Sequence, residues 1–313
     1  MEAVSTASMF QSVLYNIQNE QQQLNVASTQ AGSEVIGNSL QAYGSQAEQL
    51  VATNSLQSQV TGYITNNNLL SEKLSVQSQA LQQVSDAAQS AVTGINDAIA
   101  NNDPTGLTTA LQAALSSAAS ALNTTYNGQY IFAGEATSTQ PFTASSLSDL
   151  PATSTPAAIS TLFANGSTAP VSRLNSNTTT TTGFLASDVG APLATALTAF
   201  QNYVSSTPLS TPLTADQSTE LQSLQTQFNA ALTSANALSA QNGVIQSQVS
   251  TNLTDLTDQQ TALQGVATNI TSVNLGQVET NITLAQNALQ ASADVFTTLQ
   301  SSSLLNLLSS SSG

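Results

Sequence analysis

The stretch Leu221–Val273, LQSLQTQFNAALTSANALSAQNGVIQSQVSTNLTDLTDQQTALQGVATNITSV, reads as one long helix with a single apolar stripe. Leu221, Phe228, Ala235, Asn242, Val249, Leu256, Leu263 and Ile270 recur every seven residues. A second series, Leu224, Ala231, Leu238, Ile245, Asn252, Gln259, Val266 and Val273, is offset from the first by three. Steps of three and four keep both series on one side of a helix, and most of the positions are apolar, so this helix is built to lie along others. The pattern continues with Val278, Ala285, Ser292 and Leu299 beside Ile282, Leu289 and Phe296.

The other end of the chain is built in the same way. Leu56, Tyr63, Leu70, Gln77, Val84 and Ala91 form one series, and Val60, Asn67, Leu74, Leu81, Ala88 and Ile95 its partner, which predicts a second long helix. Before it, Phe10, Val13, Ile17, Leu24, Ala27 and Ala31 make a shorter amphipathic stretch, with Gly32, Gly37 and Gly44 as joints after it. Asp103-Pro104-Thr105-Gly106 marks a turn, and helical spacing resumes from Leu107 to Asn123. The expected fold is mainly α: an elongated antiparallel helical bundle or coiled coil formed by both chain ends, closed by a small β-containing central insertion.

The insertion opens with Tyr126, Gly128, Tyr130 and Phe132 alternating with smaller or polar neighbours, which predicts a short strand whose hairpin return passes near Phe142. From Thr143 to Thr182 the chain is rich in Ser, Thr and Pro, compatible with either a small β domain or an exposed, poorly ordered loop. A further helix is expected from Leu193 to Val204, with Pro208 and Pro212 separating it from the C-terminal arm. The expected segments are therefore 1–45, an N-terminal helical assembly segment; 46–142, the first part of the helical core with its hairpin; 143–212, an outward insertion; 213–275, the second part of the core; and 276–313, a C-terminal assembly segment.

Composition narrows the function. Charged residues make up 6% of the 313, and Lys73 and Arg173 are the only basic ones against 17 acidic, for a net charge of −15. Nucleic acid and anionic membrane surfaces are disfavoured, because both are bound through clustered cations. With no Cys and no His, the common nucleophile–base pairs and zinc ligand sets are missing, so no enzyme activity, cofactor, metal or small-molecule substrate is expected. No apolar run is long enough to span a bilayer, and Met1 to Gln30 lacks a basic segment followed by an apolar block, so neither membrane insertion nor a cleaved secretory signal is expected.

Asp255 and Asp258, one helical turn apart, are a formal candidate for a cation or an acid–base pair, but no third ligand lies near them in sequence and a solvated helix face is the plainer reading. Asp86 with Asp97 and Glu34 with Glu48 read the same way. Tyr126, Tyr130 and Phe132 fit a partner-binding surface and hairpin core packing equally well. The chain ends are expected to be unstable alone. About six stripe side chains contribute roughly 1.5–3 kcal/mol each, whereas ordering some thirty-five residues of backbone costs about 1–2 kcal/mol per residue. Such ends acquire structure by packing on one another and on neighbouring subunits.

Several stretches resemble one family. LNTTYNGQYIFAG, Leu122–Gly134, followed by Pro141-Phe142, is similar to the segment that closes the N-terminal helical core in the hook-associated protein 3 (hook–filament junction) and flagellin family. LAQNALQASADVFTTLQSSSLLNLL, Leu284–Leu308, resembles the terminal helix of that family, and LQQVSDAAQSAV (81–92) and NGVIQSQVSTNL (242–253) agree with it. The chain departs from the pattern after its first helix, where QAGSEVIGNSLQAYG replaces the usual basic Ser-Gly-Lys/Arg element and Ser-Asp-Asp-Pro turn. The resemblance implies a structural axial subunit of the bacterial flagellum, exported unfolded by a type III route, extracellular, and polymerised through its terminal helices. Its implied partners are copies of itself, neighbouring axial proteins and an export chaperone. Its implied interface is the apolar stripe of Phe10, Ile17, Leu24, Val278, Ile282, Leu289, Phe296, Leu299 and Leu304. Filament flagellin and a non-flagellar acidic coiled-coil surface protein are the alternatives.

Overall fold

A computed structural model describes residues 2–310, with side chains described for residues 8–301. In chain order the elements are α1 (Glu2–Ser33), a 3-10 segment (Leu40–Gln46), α2 (Ala47–Asn101), α3 (Leu107–Leu122), β1 (Thr125–Tyr126), β2 (Gln129–Tyr130), a 3-10 turn (Leu147–Asp149), α4 (Pro156–Ser160), β3 (Val171–Arg173), β4 (Thr179–Thr181), α5 (Ala186–Ser206), α6 (Ala215–Thr271) and α7 (Leu275–Ser310). The fold is mainly α, with two small antiparallel hairpins among the described residues. The chain forms two compact units, one from the residues up to Gln59 with those from Gln260, the other from Val60 to Gln259.

In the second unit the stripes of α2 and α6 face each other and α3 and α5. Leu74, Leu81, Ile95, Leu111, Leu115, Leu197, Phe200, Leu221 and Phe228 are fully buried there. The pairing of α2 with α6 is antiparallel, since Gln246, Asn242, Asn236 and Gln225 meet Leu74, Gln77, Ser85 and Asn96 in turn. Three polar members of the heptad series, Asn67, Gln77 and Asn242, are buried, whereas Gln259 is exposed. Gln77 and Asn242 are both 0% exposed, and Gln77 Nε2 donates to Asn242 Oδ1 at 2.8 Å and to the Thr182 carbonyl at 3.3 Å. Asn242 Nδ2 in turn donates to the Leu74 carbonyl at 3.0 Å. Asn67, 1% exposed, donates to the Leu174 carbonyl at 2.7 Å. These amides pin the insertion, through residues 174 and 182, onto the helices.

Three sequence expectations change. The first hairpin turns at Asn127-Gly128, with Tyr126 paired to Gln129, and does not return near Phe142; both turn residues have positive φ, 51° and 76°, the geometry that makes Asn-Gly the preferred two-residue hairpin turn. Phe142 bridges Phe163 instead, with ring centroids 5.2 Å apart. The 143–182 stretch is neither a β domain nor a loose loop, because Leu147, Leu150, Ile159, Leu162 and Leu174 are buried in the core. The last helix before the C-terminal arm begins at Ala186, earlier than expected, and carries Pro192 inside it. Gly190 lets it approach α3: a Cβ there would lie 2.6 Å from Leu122 Cδ1.

Two carboxylates fasten the insertion. Glu135 accepts from the backbone N–H groups of Ser167 and Thr168 at 2.9 and 2.8 Å, and these bonds hold its carboxyl down at about 2. Asp149 accepts from the N–H groups of Ser145 and Ser146 at 2.9 and 2.8 Å and is likewise held at about 2. Because the folded values are depressed, the stabilisation is complete above the ordinary carboxylate range near 4 and is lost as pH falls from there through about 2. Thermal melts of Glu135→Gln and Asp149→Asn are expected to show a lower midpoint than the parent at pH 7 and a shallower fall between pH 5 and 2. Identical pH profiles for parent and variants would show that these bonds contribute nothing.

Candidate assembly interface

The first unit is organised by α1 and α7, which run antiparallel: Phe10 near one end of the pair meets Phe296, while Val35 just beyond α1 bridges Ser272 just before α7. Along α1 the residues sheltered from solvent are positions 10, 13, 17, 20, 24, 27, 30 and 31, and along α7 positions 278, 282, 285, 289, 292, 296 and 299 are sheltered with 288 and 293 beside them. Steps of three and four on both helices make one seam of the two-stranded coiled-coil kind. Ala27, Val278 and Ala285 are buried in it, and the Phe10 and Phe296 rings stack edge to face, 5.5 Å apart and 89° between planes.

The structure thus brings Phe10, Ile17, Leu24, Val278, Ile282, Leu289, Phe296 and Leu299 onto the seam between the two ends of one chain. The side chain of Leu304 lies outside the described residues. The seam closes at a short backbone bridge: Ile36 N–H donates to the Thr271 carbonyl at 2.9 Å and Val273 N–H to the Glu34 carbonyl at 3.1 Å. Here the long heptad read through Val273 breaks. Asn274 caps α7, its Oδ1 accepting from Gln277 N–H at 3.2 Å, so Val273 sits in a connector and not on a helix.

Apolar residues off the stripe form a second set that the heptad reading passes over. Met9, Leu14, Tyr15 and Val26 on α1 are 47–69% exposed, and Leu284 and Val295 on α7 are 60% and 50% exposed. The only sequence signal for them is negative: large apolar side chains at positions the seam does not use. Tyr15 and Val26 on α1, and Leu284 and Val295 on α7, are each eleven residues apart, a spacing that returns each pair to about the same side of its helix.

The remaining candidates separate cleanly. Asp255, Asp258, Asp86, Asp97, Glu34 and Glu48 are all exposed, and no group of three or more metal-ligating side chains occurs among the described residues. No helix among the described residues is long and apolar enough to cross a membrane. Of the hairpin aromatics, Phe132 is 0% exposed and belongs to the core, whereas Tyr126 and Tyr130 stay half-buried beside Lys73.

The chain matches no family model and no curated protein sequence. Its fold is similar to a structure described as a flagellar hook-associated protein from Vibrio parahaemolyticus, at 15% identity and a TM-score of 0.58, over 72% of this chain and 97% of that one. FlgL from Bacillus cereus aligns at 17% identity and a TM-score of 0.49, over 70% of this chain and 98% of that one. The chain shares its fold with that Vibrio parahaemolyticus protein.

Proposed function

We propose that this chain is a structural axial component of the bacterial flagellum, a hook–filament junction subunit that polymerises through its terminal helices. The observation that carries the reading is the seam of α1 and α7. It joins the two ends of the chain into a rod whose outer faces still present Met9, Leu14, Tyr15, Val26, Leu284 and Val295. Apolar side chains left outside the seam give further copies something to bury. The stripe residues Phe10, Ile17, Leu24, Val278, Ile282, Leu289, Phe296 and Leu299 act in assembly by making that rod, and Leu304 is assigned to the same role from the sequence stripe alone.

The shared fold supports the hook-associated class, and the acidic, sparsely charged surface agrees with a subunit that does no chemistry. Neighbouring axial proteins are the natural partners at the two ends of such a ring. Before export the exposed apolar side chains need shielding, which is the task of a chaperone. Immunogold labelling of isolated flagella tests the assignment: label confined to the tip of the hook is the expected result. Label along the whole filament would make the chain a flagellin, and flagella without label would remove it from the organelle.

A further inference from the structure

Lys73 is the only lysine in the chain, and it lies in a cleft of about 320 Å³ between α2 and the first hairpin. Leu69 and Leu70 from α2, Tyr126 and Tyr130 from the hairpin, and Pro170 share the cleft with it. Lys73 is half-buried, and burial lowers its pKa with no opposing charge to raise it. Its sequence neighbour Glu72 accepts from the hydroxyl of Tyr126, at the wall of the cleft, at 2.8 Å and makes no ion pair with Lys73. Among the described residues neither the Lys73 ammonium nor the Tyr130 hydroxyl has a hydrogen-bond or ion-pair partner. The cleft therefore holds two unmatched donors, one of them cationic, in a lining that mixes apolar residues with Asn127, Gln129, Thr137 and Ser172, and Leu69 at its rim is 49% exposed. A partly desolvated ammonium without a counter-charge is unfavourable, and the group that relieves it is an anion with acceptor oxygens.

We infer that this cleft receives a carboxylate side chain from a second copy of the protein, with Lys73 and Tyr130 as its donors. Charge complementarity selects the occupant. Each copy carries 17 acidic residues and only one other cation, Arg173, which is exposed and donates to the Ser176 carbonyl at 3.3 Å. Wherever charges meet between copies packed side by side, they are almost always acid against acid. The Lys73 cleft is the one half-buried place where a neighbour's carboxylate is attracted, so it orients two copies as well as holding them. The inference rests on the proposed self-assembly and adds to it a specific contact in the second unit, apart from the terminal helices.

The uniqueness of Lys73 makes the test direct. A mixture of unlabelled and ¹⁵N-labelled full-length protein is brought to self-association, treated with a zero-length carbodiimide and digested for mass spectrometry. The expected product is an isopeptide linking Lys73 to an Asp or Glu peptide of the other isotope. Lys73→Gln, with an unchanged circular dichroism spectrum, is expected to raise the concentration needed for association about tenfold and to flatten its salt dependence, and Lys73→Arg to restore most of both. Association of the parent with Lys73 joined only to carboxylates of its own copy, or unaltered association of Lys73→Gln, would overturn the inference and leave the proposed function standing. A parent that never self-associates at any concentration would overturn both. Relief by acetate alone, with no cross-copy isopeptide, would make the cleft a small-anion site and overturn the assignment of its occupant.

Discussion

Phe296→Asp is expected to abolish assembly while leaving export intact. The ring is half-buried against Phe10, and the edge-to-face pair is worth about 0.5–1.5 kcal/mol beyond the area it buries. Aspartate forfeits that, forfeits the apolar burial of roughly 1.5–3 kcal/mol for a fully covered side chain, and places a charge against an aromatic face. The loss falls on helices with little to spare, since α1 and α7 are rich in Ser, Thr and Asn, which propagate a helix poorly. Leu289→Asp, a heptad away on the same stripe, should behave alike. Subunits should still appear in the culture medium, because the seam matters after export; electron microscopy of the cells should show hooks without the structures that follow. Normal filaments from either variant would end the argument for the seam.

Phe132→Ala is expected to destabilise the second unit by about 3–5 kcal/mol, the range for deleting a buried phenylalanine. Its ring is 0% exposed, and its carbonyl accepts from the Ala186 N–H at 2.8 Å, so it ties the hairpin to the start of α5. Tyr130→Phe, by contrast, removes a hydroxyl with no partner among the described residues and should leave urea denaturation unchanged. This pair separates the two roles open to the hairpin aromatics from sequence. A Phe132→Ala protein that unfolds at the parent's urea concentration yet fails to associate would place Phe132 on a partner surface and contradict the packing described here.

What could be read in advance follows from how each feature is encoded. The arms were legible because the heptads at 56–95 and 221–270 repeat one simple period over many turns, and no local exception competes with so long a signal. The hairpin was misplaced because alternation from Tyr126 to Phe132 extends past the turn; the Asn127-Gly128 dipeptide carried the correct answer and outranks alternation. The insertion resisted reading for a different reason. Its buried residues, Leu147, Leu150, Ile159, Leu162 and Leu174, are scattered among Ser and Thr at no fixed period, since they pack onto helices distant in sequence. The stripe of α1 and α7 was visible, but a stripe does not say whether its partner is the same chain; the Phe10–Phe296 contact and the backbone bridge at Val35 and Ser272 do. Lys73 carried no pattern at all, and its isolation shows only in three dimensions.

The buried Gln77–Asn242 pair bears on how the arms find each other. Heptad surfaces are nearly self-similar, so a strand of helix that slides by one repeat still meets leucine with leucine. Here a slide of seven residues would set Asn242 opposite Leu70 or Val84, both apolar and both on the same series as Gln77. Either mistake strands an amide among hydrocarbon, and its lost bonds cost about 1–3 kcal/mol apiece. The polypeptide thus carries its own alignment mark, two side chains that agree at a single offset and object to a shift of one repeat either way.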